Sequence, residues 1–235
     1  MKTIILKFSG PLQSWGTASH FESRHTDLYP SKSAVIGLIA AACGFRRNDD
    51  NHIQSLNALH YAVRIDQIGN VIDDYQTAHK YKYVPEPKLE RTYVTHRYYL
   101  EDAVFTVAVG NEDAMWISQI AEALNAPYFQ LYMGRRSCPV PKDFIIGMSD
   151  LNPIHALLNL PWQAAEWYQR KVSSEPLQIY ADADFLPDST SYFRRDRIQS
   201  LSYKGRRYAL RQESKRFTEQ RFGCEEHDAF KALGE

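Results

Sequence analysis

The chain has 235 residues, 44% of them hydrophobic, with 28 basic and 28 acidic side chains. That length fits one large domain or a domain with a substantial appendage, and the apolar content supports a packed core, which excludes wholesale disorder. Balanced charge excludes a surface that is basic throughout, and no run of about 18 apolar residues offers a membrane-spanning helix. Cys43, Cys138 and Cys224 are odd in number and far apart, and the histidines lack an H-E-x-x-H spacing. No disulfide framework, metal site or cofactor is expected from them.

In chain order, Thr3 to Ser9 (TIILKFS) reads as a first strand ended by Gly10-Pro11. It is too short for a signal h-region and lacks a cleavage site, so a cytoplasmic protein is expected. Pro30-Ser31-Lys32-Ser33 then opens an apolar helix, AVIGLIAAACG, with Ser31 or Ser33 as N-cap and Gly44 at the C′ position. Leu59 to Ile65 predicts a second strand, and Asp66 to Asn70 a turn. Asp102 to Val109 predicts a third strand, Glu112 to Leu124 an amphipathic helix capped by Asn111, and Tyr128 to Met133 a fourth strand. This is the β-α-β-β-α-β plan of ferredoxin-like domains. Beyond it, His155 to Leu160 reads as a short helix, Leu177 to Ala181 as a strand, and Arg197 to Gln212 as a hairpin turning at Lys204-Gly205.

The excursion from about Asp73 to Tyr99 is longer than an ordinary hairpin loop. It holds Tyr75, Tyr81, Tyr83, Tyr93, Tyr98 and Tyr99, interleaved with Lys80, Lys82, Lys88, Arg91 and Arg97. Alternation around Val94, His96 and Tyr98 predicts a protruding β-hairpin with Pro85 and Pro87 at its tip or edge. Such a ribbon suits contact with unpaired bases, which stack on rings, or with a neighbouring subunit. From Arg194 to Arg221 ten basic residues face three acidic ones, enough for a positive stripe or for a face that pairs with acids elsewhere.

Four short segments carry candidate chemistry. Ser31, Lys32 and Ser33 at a helix start form either a phosphate seat or an ordinary cap. Gly134-Arg135-Arg136 makes a turn whose arginines clamp phosphates or are simply solvated. Trp15, in Gln13-Ser14-Trp15-Gly16, is a stacking platform or a lid over the core. His96, beside Arg97 and Tyr98, could draw a proton from a 2′-hydroxyl as a metal-independent ribonuclease does. Asp49-Asp50 and Asp73-Asp74 fall in predicted loops as solvated acids, and no other catalytic constellation is present.

GPLQSWG, YPSKSAVIGLIAAACGF, THRYYLEDAVFTVAV and LYMGRRSCPV, with a weaker echo in RIQSLSYKGRRYALR, together resemble the CasD proteins, the type I-E branch of the fifth CRISPR-associated (Cas) family. The resemblance implies an α+β, ferredoxin-like (RRM-like, RAMP) domain over 1–142, with a thumb hairpin at about 73–99, and a smaller β-rich part over 143–235. It implies a non-catalytic Cascade subunit that caps the backbone and holds the 5′ handle of the CRISPR guide RNA. Partners would be that RNA, the backbone subunit and the large subunit that reads the protospacer-adjacent motif, with target DNA met indirectly and no membrane. By motif, Gln13, Trp15, Ser31, Lys32, Ser33, His96, Arg97, Arg135 and Arg136 would line the handle surface, and Arg91 and Tyr98 join them from the excursion. Repeat-RNA cleavage, as in the type I-C branch, is the alternative.

Overall fold

The computed structural model describes residues 1–17, 22–84, 86–172, 174–187 and 189–223, without the side chains of 82–88. Pro85 and Cys224 lie outside the described residues. In chain order the elements are β1 (Lys2–Ser9), β2 (Leu12–Gln13), β3 (Ser23–Arg24), α1 (Lys32–Ala42), α2 (Asp50–Ser55), β4 (His60–Gln67), β5 (Asn70–Val84), β6 (Glu86–Glu101), β7 (Val104–Asn111), α3 (Ala114–Asn125), β8 (Ile145–Ser149), α4 (Pro153–Leu158), β9 (Glu175–Asp182), β10 (Ser191–Ser200) and β11 (Arg207–Phe222). No helix among the described residues is long and apolar enough to cross a membrane.

Alternation along β1 assigns the two faces of the main sheet. Ile4, Leu6 and Phe8 point into the larger core with Val35, Ile39 and Ile120, whereas Ile5 joins a smaller one with Ile154 and Leu157. The helices α1 and α3 cover the first face. On the second, Ala62, Ala108 and Ala181 sit side by side across three neighbouring strands, and their small side chains lie under α4. The same face carries Arg64 and Asp66, which are fully buried and bonded to each other at 2.7 Å. Arg64 also donates to the Leu160 and Pro161 carbonyls, and Asp66 accepts from Thr106 Oγ1 and the Gln163 amide. A charge pair this deep is sustained only because every remaining lone pair and N–H finds a partner. Asp66 is therefore strand interior, not the start of a turn.

The main sheet has seven strands in the order β10-β11-β9-β4-β7-β1-β8. Its β4-β7-β1-β8 section is antiparallel throughout and has the strand order of the ferredoxin-like plan. The fourth strand of that plan is Ile145–Ser149, not Tyr128–Met133. The aromatic run at 128–133 has another task. The Tyr128 and Phe129 amides donate to the Ala42 and Ala41 carbonyls at the end of α1, and Leu131 and Met133 fill the core. It satisfies carbonyls that a helix end leaves open, which an apolar run does as readily as a strand. The strands β9, β11 and β10 extend the same sheet from the β4 edge, so hydrogen bonding runs without a break across residue 142.

The remaining strands form a second sheet dominated by one long hairpin, β5 with β6, paired from Asn70↔Glu101 to Val84↔Glu86. This is the predicted finger, longer by a few residues at its root. Asp73 and Asp74 belong to β5 rather than to a loop.

Candidate nucleic-acid interface

The root of the finger is built by three short chain segments that meet β6. Gln13 pairs with Leu100, and Ser23 and Arg24 run parallel to His96 and Arg97. The Ser14 amide donates to the Met133 carbonyl, and its hydroxyl to the Tyr98 carbonyl. Gly134 adopts φ +81°, and a Cβ there would collide with the Ser14 carbonyl oxygen, so the turn that carries Arg135 and Arg136 can lie against residue 14 only as glycine. The motifs around residues 13, 96 and 135 are thus one structure.

Cations and rings gather on it. The Arg135 guanidinium lies 4.3 Å over the Tyr99 ring and donates from Nη2 to the Arg24 carbonyl at 2.7 Å. Arg24 is the register partner of Arg97 and is exposed, as is Arg136. Tyr98 stacks on His25, with centroids 5.0 Å apart and planes 12° from parallel. Arg97 Nε and Arg135 Nη1 are buried side-chain donors with no hydrogen-bond acceptor among the described residues. A buried donor is normally satisfied, and these two guanidinium nitrogens have no acceptor among the described residues. His96 Nδ1 lies 2.9 Å from Asp73 Oδ2, and its ring meets Tyr75 edge-on at 5.4 Å.

Arg91 does not belong to this group. It stands opposite Lys80, over the Tyr93 ring, about 20 Å up the finger from Arg97 at roughly 3.3 Å per residue. Gln13 and Trp15 are beneath the group, not on it: both are buried, and Gln13 donates to the Ala103 carbonyl while accepting from Trp15 Nε1. Their side chains hold the loop to the core, and Trp15 packs on Phe8.

Ser31, Lys32 and Ser33 lie elsewhere, against β10 and β11. Ser31 caps α1 by accepting from the Ala34 amide, and its hydroxyl lies 3.1 Å from that of Ser33. The anion at this helix start is the protein's own: Asp196 accepts from the Lys32 amide at 3.0 Å, and Lys32 Nζ donates to Asp182 at 2.9 Å. Arg211 binds Asp196, Asp182 and Glu213, while Arg194 binds Asp27 and Glu213. Tyr29 and Tyr192 both donate to Glu213.

Burial pulls the Lys32 ammonium below its ordinary pKa, against the support of Asp182. It also works against the charge on Arg211, where the nearby carboxylates, Asp196 first, outweigh it and push the value up. Burial drives the Tyr29 and Tyr61 phenols upward, so both stay protonated. This is a network of three cations and four carboxylates in which each cation already holds an acid of the chain.

Sequence reasoning missed Arg24, His25 and Asp73. Arg24 and His25 carry a faint signal, a basic pair in a polar loop, and Asp73 acquires meaning only through its strand register with the finger's other arm. Among the described residues, no three His, Cys, Asp or Glu side chains are arranged to hold a metal ion.

A family model described as CRISPR-associated protein (Cas_Cas5) matches residues 3–212. The CRISPR system Cascade subunit CasD of Escherichia coli (strain K12) is 33% identical over 171 residues, spanning 66% of this chain and 75% of that protein. A chain from a structure titled "CRISPR RNA-guided surveillance complex" superposes with a TM-score of 0.76 at 30% identity, covering 98% of this chain and 97% of that one. A second, titled "Crystal structure of Cas protein", gives 0.62 at 30% identity, covering 92% and 94%. The chain belongs to the Cas5 family of CRISPR-associated proteins, the family of the Cascade subunit CasD.

Proposed function

We propose that the protein is a type I-E Cascade subunit that binds CRISPR RNA, grips its 5′ handle at the finger root and does not cut it. The observation that carries this reading is the pair of buried donors, Arg97 Nε and Arg135 Nη1, beside exposed Arg24 and Arg136. Phosphate oxygens supply the acceptors these groups lack, and the Tyr98–His25 stack offers a ring face to an unpaired base. Similarity to a Cascade subunit and to a chain of an RNA-guided complex supports the assignment. The finger then reaches between guide nucleotides toward the backbone subunit, with the large subunit alongside, target DNA met through them, and the whole in the cytoplasm. Residues within 1–142 make the handle contacts, and β9, β10 and β11 extend the sheet beside them.

The test is binding of labelled 5′-handle RNA. Replacing Arg135 and Arg136 with glutamate weakens it about 100-fold, on the order of 1.4 kcal/mol per arginine. Undiminished binding overturns the proposal.

One observation favours a second reading, an endoribonuclease. A carboxylate on His96 Nδ1 leaves Nε2 as a base, which is how a general base is commonly oriented. Incubation with repeat RNA in EDTA decides between the two: intact RNA supports the binder, and a product that disappears in His96→Ala establishes the nuclease.

A further inference from the structure

The basic stretch of the C-terminal hairpin divides in two. Arg194 and Arg211 point into the closed network, whereas Arg206, Arg207 and Lys204 at the turn are exposed. The turn is held against the segment that leaves α1: Ser202 Oγ donates to Asn48 at 3.2 Å, and the Arg47 guanidinium lies 5.0 Å over the Tyr203 ring. That arrangement joins the segment carrying Arg46 and Arg47 to the turn carrying the three cations. Among the described residues, none of the five has an acid within ion-pair distance. The acids in these segments are Asp49 and Asp50, at the start of α2, and Asp49 caps that helix and holds His52 at 2.8 Å. Tyr203 is 79% exposed, so with Arg47 over one face most of the ring stands in solvent.

We infer that the β10–β11 turn, with Arg46 and Arg47, is a second contact for single-stranded nucleic acid. Cations in two adjoining segments, with no acid partner among the described residues, and one exposed ring are what a strand needs: guanidinium groups for phosphates and a π face for one base. The surface is made by elements that contribute nothing to the finger root, and it does not rest on the handle assignment, so a failed handle assay leaves it standing.

The test measures fluorescence anisotropy of the full chain with short uridine RNA and thymidine DNA strands over a salt series. It is run in the wild-type background and in the Arg135→Glu/Arg136→Glu background. In both, Arg206→Glu with Arg207→Glu weakens binding at least about 10-fold and lowers the salt slope by about 1.4, near 0.7 for each phosphate no longer neutralised. Tyr203→Ala weakens it about 5-fold or more. Tighter binding of the uridine strand assigns the site to RNA, of the thymidine strand to DNA, and equal binding to a backbone site common to both. Unchanged affinity in the Arg206/Arg207 variant overturns the inference. So does absence of binding to either strand, or equal competition by polyglutamate, which would mark an acidic protein as the partner.

Discussion

The finger root and the α1 start both bring arginine or lysine next to tyrosine, and they have opposite fates. At α1, Lys32, Arg194 and Arg211 meet Asp27, Asp182, Asp196 and Glu213, and the charge closes on itself. At the finger root, two guanidinium nitrogens are buried with no acceptor among the described residues, and two further arginines face solvent. A cation in a structure says little until its counter-charge is located. Where the chain supplies the acid the cation is architecture, and where the described residues do not, the cation is open to a ligand.

Removing one acid from the closed network breaks this contrast from its structural side and gives the largest effect. Asp196→Ala strands the Arg211 fork and uncovers the start of α1, and chemical denaturation should register a loss of about 3–5 kcal/mol. At the finger root, by contrast, Arg135→Glu/Arg136→Glu should cost RNA affinity about 100-fold and stability only about 1–2 kcal/mol, the share of the Arg135 hydrogen bond to Arg24 and its contact with Tyr99.

Alkaline pH sharpens the comparison next. The Tyr61 phenol is raised by burial above an unfolded value near 10, so its contribution is complete below pH 10 and falls as pH rises beyond it. In denaturation between pH 10 and 11, Tyr61→Phe should remove up to about 1.4 kcal/mol per pH unit of that decline. Lys32 has the opposite sign. Its folded pKa is depressed, so stability rises with pH between that value and 10.5.

The smallest effect separates cap from phosphate seat. Ser31→Ala should cost about 1 kcal/mol of stability and leave the RNA affinity of the folded protein unchanged, and a matching affinity loss would place the handle at α1.

Much of the frame was legible in the chain. Ser31 and Gly44 bracket α1 because caps are chosen by local geometry, and Gly44 sits at φ +79°. The finger announced itself by alternation over an excursion too long for a loop. Other features depend on partners distant in sequence. Asp66 looked like turn material, yet it is core because Arg64 and Thr106 face it across the sheet. The run at 128–133 has a strand's composition, but the Tyr128 and Phe129 amides belong to the end of α1, while the true edge strand is short and shifts register opposite Ile5 and Leu6. Within the site, Arg97, Tyr98 and Arg135 were readable as types and come together at the finger root. Trp15 and Gln13 share a motif with an exposed loop but turn inward, a choice made by the carbonyls of Phe8 and Ala103.

Photo-crosslinking of a guide RNA carrying 4-thiouridine in its 5′ handle, within the assembled complex, addresses the central claim most directly. The account predicts adducts on peptides spanning 22–25, 96–99 and 134–136. Adducts confined to residues 31–33, with the finger root unlabelled, would contradict it.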